Sequence, residues 1–265
     1  FTKIVQDHTT RAGGYDIYAY WATNGGDLAQ MGALYNLDEF VEKYRPEWTD
    51  PERGYVGGET TVEQTQAYRD SIYTFNMDGD YQPWVYRRDL FEDPKEQREF
   101  KRRYGWDLQW PETWEQLAQI AEFFTRPEKG LWGCTDLRNQ FWGFTNWMQR
   151  YTCFANPDQY YFDENAKPLI YSEAGIKAAE EYVNALKWHH PDAISWGWPE
   201  QYAHMSAGKA AVTCAFPNMS KFLDNPDNPD SKVVGKLCYG ISPGRIINGK
   251  LIRRALWWPS IAHGV

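Results

Sequence analysis

The most regular apolar spacing in the chain lies in PETWEQLAQIAEFFTRP, where Trp114, Leu117, Ile120, Ala121 and Phe124 recur three and four positions apart. That period brings all five to one face of a helix. Thr113 stands where an N-cap belongs and Pro127 follows the end, so a helix is predicted between them. AGIKAAEEYVNALKWHH, rich in Ala and Glu, predicts a second helix. RNQFWGFTNWMQRYTCF predicts an aromatic one, and DPKEQREFKRRYGW a charged surface helix entered through Asp93 and Pro94. DLAQMGALYNLDEFVEKY, Asp27 to Tyr44, has helical spacing broken near Gly32.

Shorter apolar or aromatic runs between turn residues predict strands. They are GGYDIYAYW, a segment around Ile72 to Phe75, WVYRRDLF, GLWGCTDL, KLCYGISPG and RALWWPS. QYAHMSAGKAAVTCAFP predicts a short helix ending near Gly208 that feeds a strand over Ala210 to Ala215. Pro46 to Glu63 and DNPDNPDSK are predicted loops. Strands alternating with helices, without an internal repeat, predict a layered α/β fold. A chain of 265 residues has room for one large domain or two of ordinary size.

Composition narrows the partners. A formal charge of -8, with basic clusters only at RRDL and FKRRYG, argues against nucleic acid. No run of about 18 apolar residues offers a bilayer span. The chain opens on Phe1 with no signal-peptide pattern, as a processed protein or a fragment does, which leaves the compartment unmarked. Aromatic residues make up 17% of the chain, including 14 Trp and 18 Tyr, more than a core alone calls for. Rings with a polar edge suit partly wet sites, where a face stacks on a ligand. Cys134, Cys153, Cys214 and Cys238 are too widely spaced for a zinc or redox motif. They are expected as small buried side chains, and in an oxidising compartment Cys134 with Cys153 and Cys214 with Cys238 are the first pairings to test.

FNMDGDYQPWVYRRDLF sets Asp78 and Asp80 one residue apart among aromatics. Four readings are open: a metal loop, a pair of catalytic carboxylates, a turn holding backbone N–H groups, and a polar grip on a ligand. An EF-hand-like loop needs further oxygen ligands where Gln82, Pro83 and Trp84 follow. A glycosidase needs a second carboxyl at a separation the sequence leaves open. His189 and His190 close a predicted helix, where capping is the expected role. No phosphate-binding, dinucleotide or nucleophile-elbow motif is present. Phe141 and Trp142 are neighbours and cannot both face one direction, so one is expected outward; Trp147 is expected in the core. Trp257 and Trp258, adjacent on a predicted strand, raise the same point.

The order of these motifs resembles the carbohydrate-type extracellular solute-binding proteins that serve ABC importers. The resemblance rests on GGYDIYAYW, AQMGALYNLDEF, VYRRDLFEDP, PETWEQL, EFFTRPEKGLWG, MSAGKAAVTCAFP and YGISPG, in that order. It implies a type II periplasmic-binding-protein-like fold with two α/β lobes and the ligand enclosed in the cleft between them. It further implies that residues 1–84 are part of the N-terminal lobe and end in the first hinge crossing, that residues 85–257 form the C-terminal lobe, and that residues 258–265 begin a second crossing. Both ends of the family pattern are incomplete in this chain. Ligand-binding residues carried over from the resemblance are Tyr20, Trp21, Asp78, Asp80, Tyr81, Gln140, Phe141, Trp142, Phe216, Asn218, Trp257 and Trp258, with no catalytic or metal-binding residue and no cofactor. Arg87 and Arg88 become surface charges beyond the crossing. The implied role is capture of a carbohydrate or polyol by a periplasmic or extracellular monomer, lipid-anchored or free, that touches the membrane only through permease subunits. A glycoside hydrolase using Asp78 or Asp80, and a sensor domain of the same fold, are the alternatives.

Overall fold

The computed structural model describes residues 1–50, 52–54, 62, 66–76, 79–155, 161–214, 216–254, 257–259 and 261–265. Its contacts divide the chain into two units, Phe1–Asp80 with Trp257–Val265, and Tyr81–Leu256. Among the described residues no helix is long and apolar enough to cross a membrane.

The larger unit is built on a four-stranded sheet in the order Trp132–Thr135, Ala210–Cys214, Trp84–Arg87, Leu237–Gly240. The first two strands run parallel, and Trp84–Arg87 is antiparallel to both of its neighbours. Ala210–Cys214 is buried along its whole length, which is what a continuous apolar run does in a sheet covered on both faces. Adjacent residues on Trp84–Arg87 show the two faces. Trp84 joins a core with Phe100, Trp114, Ile120 and Phe124, while Val85 joins another with Tyr202, Met205, Met219 and Leu223. Each fully buried large apolar side chain there stabilises the unit by about 1.5–3 kcal/mol.

The helix predicted from spacing forms over Trp114–Phe124 and buries Trp114, Leu117, Ile120, Ala121, Phe123 and Phe124. Its start is a reciprocal cap, in which Gln116 N–H donates to Thr113 Oγ1 and the Gln116 side chain accepts from Thr113 N–H. Gly133 lets this helix close on the sheet, because a Cβ there would lie 1.7 Å from the Ala121 carbonyl oxygen. Pro94–Tyr104 starts as expected, with the Asp93 carboxylate accepting from Lys95 and Glu96 N–H. The aromatic helix begins only at Gly143, because Arg138 is drawn back to Asp136 and the Asn139 side chain caps Trp142 N–H at 2.8 Å. WVYRRDLF is a strand only to Arg87; Arg88–Phe91 turns into a short helix. Arg87 is not a surface charge. Its side chain is 12% exposed, bidentate on Asp89 and hydrogen-bonded to Gly208 O at 3.0 Å.

The smaller unit holds a three-stranded antiparallel sheet in the order Tyr18–Trp21, Ile261–Gly264, Phe75–Asn76. The core beside it comprises Ile4, Tyr20, Leu28, Ala29, Leu34 and Ala262. GGYDIYAYW is strand only over its last four residues. The segment from Asp27 forms two short helices, Gly25–Gln30 and Asp38–Tyr44. Elements that were not expected include the helix Thr2–Thr10 and, in the larger unit, the short helix Met219–Leu223 and a hairpin of Arg245–Ile247 with Lys250–Ile252. Asn248 and Gly249, with φ of 50° and 76°, make the turn of this hairpin.

All four cysteines are free thiols, and Cys134, Cys153 and Cys214 are buried. The suggested pairing of Cys214 with Cys238 fails on geometry, since Trp84 pairs Cys214 on one side while Tyr86 pairs Cys238 on the other. A whole strand between them, and a two-residue offset along it, set them more than about 9 Å apart, beyond disulfide reach.

Candidate functional site

Two loops leave the carboxyl ends of the parallel strands Trp132–Thr135 and Ala210–Cys214, the edge at which α/β sheets commonly bind ligands. Gln201, fully buried, ties these ends together, its amide donating to Thr135 O, Thr213 Oγ1 and Cys214 O at 3.2, 2.9 and 2.6 Å.

The first loop carries Gln140, Phe141 and Trp142 on a turn folded over Asn139, whose backbone oxygen also accepts from Gly143 N–H. Gln140 is exposed and Phe141 is 59% exposed, as a presented ring requires. Trp142 stands edge-on to Phe141 at 4.7 Å and to Phe216, from the second loop, at 5.3 Å. Phe216 is only 7% exposed, so it backs Trp142 and offers no open face. Asn218, two residues on, is exposed and accepts from Tyr202 Oη at 2.9 Å. The structure thus brings Phe141, Trp142 and Phe216 into one cluster, with Gln140 and Asn218 on the loops that bear it.

A buried ionic cluster holds the first loop from behind. Asp136 is bidentate with Arg138, lies 3.5 Å from Arg150 Nη2 and accepts from His189 Nε2 at 2.9 Å. The Arg138 guanidinium lies 3.9 Å from the Tyr182 ring centre, and Tyr182 Oη donates to Leu137 O. Burial alone pushes the Asp136 carboxyl up, but Arg138, His189 and Arg150 overcome it and hold the group far below the usual carboxylate range. Removal of one member of such a cluster leaves uncompensated buried charge. His189 takes the position expected of a capping residue, with Nδ1 2.8 Å from Ala185 O on one side of the ring and Nε2 against Asp136 on the other.

Cys134, Asp136 and His189 also bring three potential ligand atoms within 4.8 Å of one another. This trio does not suit a metal ion. Two guanidiniums already neutralise Asp136 and would repel a dication, and burial raises the Cys134 thiol well above its ordinary value, which disfavours the thiolate a metal needs.

In the smaller unit, strand alternation separates the two carried-over aromatics. Tyr20 is 5% exposed and belongs to the hydrophobic core, whereas Trp21 is 38% exposed on the opposite side. Gly79–Tyr81 pairs with Trp257–Pro259, and both points at which the chain changes unit fall at this strand pair. Asp80 is half-buried and Tyr81 is 54% exposed. Asp78 and the side chains of Trp257 and Trp258 lie outside the described residues.

Sequence reading missed Trp198. It is 38% exposed at the start of the helix Trp198–Ser206, and Gly197 before it sits against Asn139. Its signal was an aromatic beside a glycine at a helix start, which occurs without function too often to single it out.

The sequence profile described as bacterial extracellular solute-binding protein matches residues 1–250. No curated protein sequence matches. Solved structures do. A solute-binding protein of an ABC transporter from Agrobacterium radiobacter K84, in complex with ribitol, superposes with a TM-score of 0.77 at 20% identity over 100% of this chain and 60% of its own. One from Agrobacterium vitis S4 with bound D-mannitol gives 0.70 at 21% identity over 98% and 58%. Maltose-bound MalE3 of T. maritima gives 0.74 at 16% identity over 100% and 60%. This chain therefore has the fold of the two-lobed periplasmic binding proteins and spans about three fifths of the length of these neighbours.

Proposed function

From the premise that the chain belongs to the bacterial extracellular solute-binding protein family, we propose that it binds a carbohydrate or polyol without chemical change and delivers it to an ABC importer. It does so outside the cytoplasmic membrane, as a monomer whose contact with that membrane is the permease. Asp78 to Val85 and the segment from Trp258 are the crossings between its lobes, with residues 1–84 as part of the N-terminal lobe and 85–257 as the C-terminal lobe.

The observation that carries this reading is the exposed Phe141 beside Trp142, on a loop at the carboxyl ends of the parallel strands that is stiffened by the Asp136 cluster. A sugar or polyol presents C–H faces that stack on rings, and hydroxyls that a carboxylate or amide holds in pairs. Phe141 and Trp142 with Trp21 supply the rings, and Asp80, Gln140 and Asn218 the polar groups. A site held rigid before binding loses less entropy on capture.

The test is a thermal-shift screen of the complete protein against ribitol, D-mannitol, maltose and a wider set of sugars. A ligand at 100 times its Kd is expected to stabilise by about 2.7 kcal/mol. Phe141→Ala and Asp80→Ala are each expected to shrink the shift. A shift unchanged in both variants would remove the assigned site, and release of product from a bound glycoside would replace binding with catalysis.

A further inference from the structure

A groove of about 810 Å³ runs along the helix Trp198–Ser206 and is walled on its other side by Met219–Leu223 and the loop that follows. Its volume lies in the range of small-molecule sites, about 300–1,000 Å³, and exceeds what one sugar ring needs. Three rings line it in sequence: Trp198 contacts Tyr202 at 5.5 Å, and Tyr202 contacts Phe222 at 5.6 Å between ring centres. The outer two are open to solvent, Trp198 at 38% and Phe222 at 47% exposed, while Tyr202 between them is buried at 3%. Two presented ring faces, spaced by a third that supports both, match the repeat of a linked sugar chain better than a single compact ligand.

The polar lining has the same character. Asn225, Asn228 and Asp230 bring amide and carboxyl groups, and Lys221 and Lys232 bring ammonium donors. This set can donate to and accept from hydroxyls, and two ammonium groups against one carboxylate leave it one positive charge. Asn228 Nδ2 donates to Phe222 O at 2.6 Å and Oδ1 accepts from Asp230 N–H, so the loop is tied to the residue that bears the outer ring. The groove is also joined to the site described above. Tyr202 Oη, on its floor, donates to Asn218 Oδ1 at 2.9 Å on the loop of Phe216.

We propose that the ligand is an oligosaccharide whose distal units lie along this groove, with Trp198 and Phe222 as stacking platforms outside the primary site. The proposal rests on the carbohydrate-binding reading and names the chain length of what is bound. Asn218 is the junction: units beyond it pass from the Phe141–Trp142 cluster to Trp198 and then Phe222.

Titration calorimetry of the complete protein tests it, with xylo-, malto- and chito-oligosaccharides from disaccharide to hexasaccharide and ribitol as the single-unit probe. For the series that binds, affinity is expected to rise beyond the disaccharide. Phe222→Ala is expected to weaken the longest member roughly 3- to 10-fold, the loss of one stacked ring, and to leave the disaccharide unchanged. Phe222 is half-exposed, so the variant is expected to keep its thermal midpoint. Affinity that does not change with length, or a rise that survives in Phe222→Ala, overturns the groove while sugar binding stands. Binding of ribitol with no oligosaccharide binding overturns it as well. Binding of nothing in the panel or the wider sugar screen overturns the carbohydrate reading itself.

Discussion

The larger unit gathers two apolar cores around a four-stranded sheet and adds a buried ionic cluster, all from residues between Tyr81 and Leu256. The smaller one sets, among the described residues, six buried apolar side chains beside a sheet whose middle strand, Ile261–Gly264, arrives from the far end of the chain. One unit is closed by charge and packing along a continuous stretch. The other is closed by a single strand inserted between Tyr18–Trp21 and Phe75–Asn76. Pairing across such sequence distance carries the larger loop-closure cost, so the smaller unit is expected to form last and open first. Perturbations that strike one mode of closure and spare the other test this contrast.

The largest expected effect is Asp136→Ala. It strips Arg138, Arg150 and His189 of their shared acceptor in a fully buried setting, at a cost of about 3–5 kcal/mol. Hydrogen exchange resolved by peptide should show lost protection over Trp132–Thr135 and Ala210–Cys214 with little change over Tyr18–Trp21. Equal loss in both regions would mean that the two closures are not independent.

Next is a pH dependence confined to the larger unit. Burial, with His190 and Lys209 adding positive charge nearby, pulls His204 from 6.5 down to about 4. The unfolded chain therefore binds the His204 proton first. Between pH 6.5 and 4 stability falls as pH falls, and the contribution is complete above 6.5. The loss is roughly 3 kcal/mol across that window. Urea unfolding of the complete protein at pH 7, 5.5 and 4 should show it, and His204→Phe should flatten that part of the curve. A variant with the same slope as the parent would reassign the dependence to other groups.

The same contrast explains what the sequence revealed. Thr113 with the spacing through Phe124, and Asp93-Pro94 before a charged run, are local signals, and the helices start where those signals stand. The helix Thr2–Thr10 buries only Ile4 and so carries almost no apolar period. Asn248-Gly249 is a strong hairpin signal, but the strands it joins are only three residues each, too short to show an alternation of their own. At the site, strand alternation made it certain that Tyr20 and Trp21 face opposite ways, but which of them enters the core depends on the inserted strand. Phe141 and Trp142 were found by motif order. The cluster that fixes their loop joins Asp136 to His189 across 53 positions, and no local pattern announces such a contact.

The smallest effect probes the inserted strand itself. Gly264 pairs with Tyr18 on Ile261–Gly264, and a Cβ there would lie 2.6 Å from Leu34 Cδ2 and 2.9 Å from Tyr20 Oη. Both belong to the core of the smaller unit, so neither can move without disturbing Ile4, Leu28 and Ala262. Because Leu34 meets the new methyl with the end of a flexible side chain, part of the clash relaxes, and Gly264→Ala is expected to cost about 1–3 kcal/mol. Exchange should quicken over Tyr18–Trp21 and Phe75–Asn76, the two strands that Ile261–Gly264 joins, while Trp84–Arg87 keeps its protection. If the central strands of the larger unit lose protection as well, closure by the distant strand supports more of the molecule than the unit it completes.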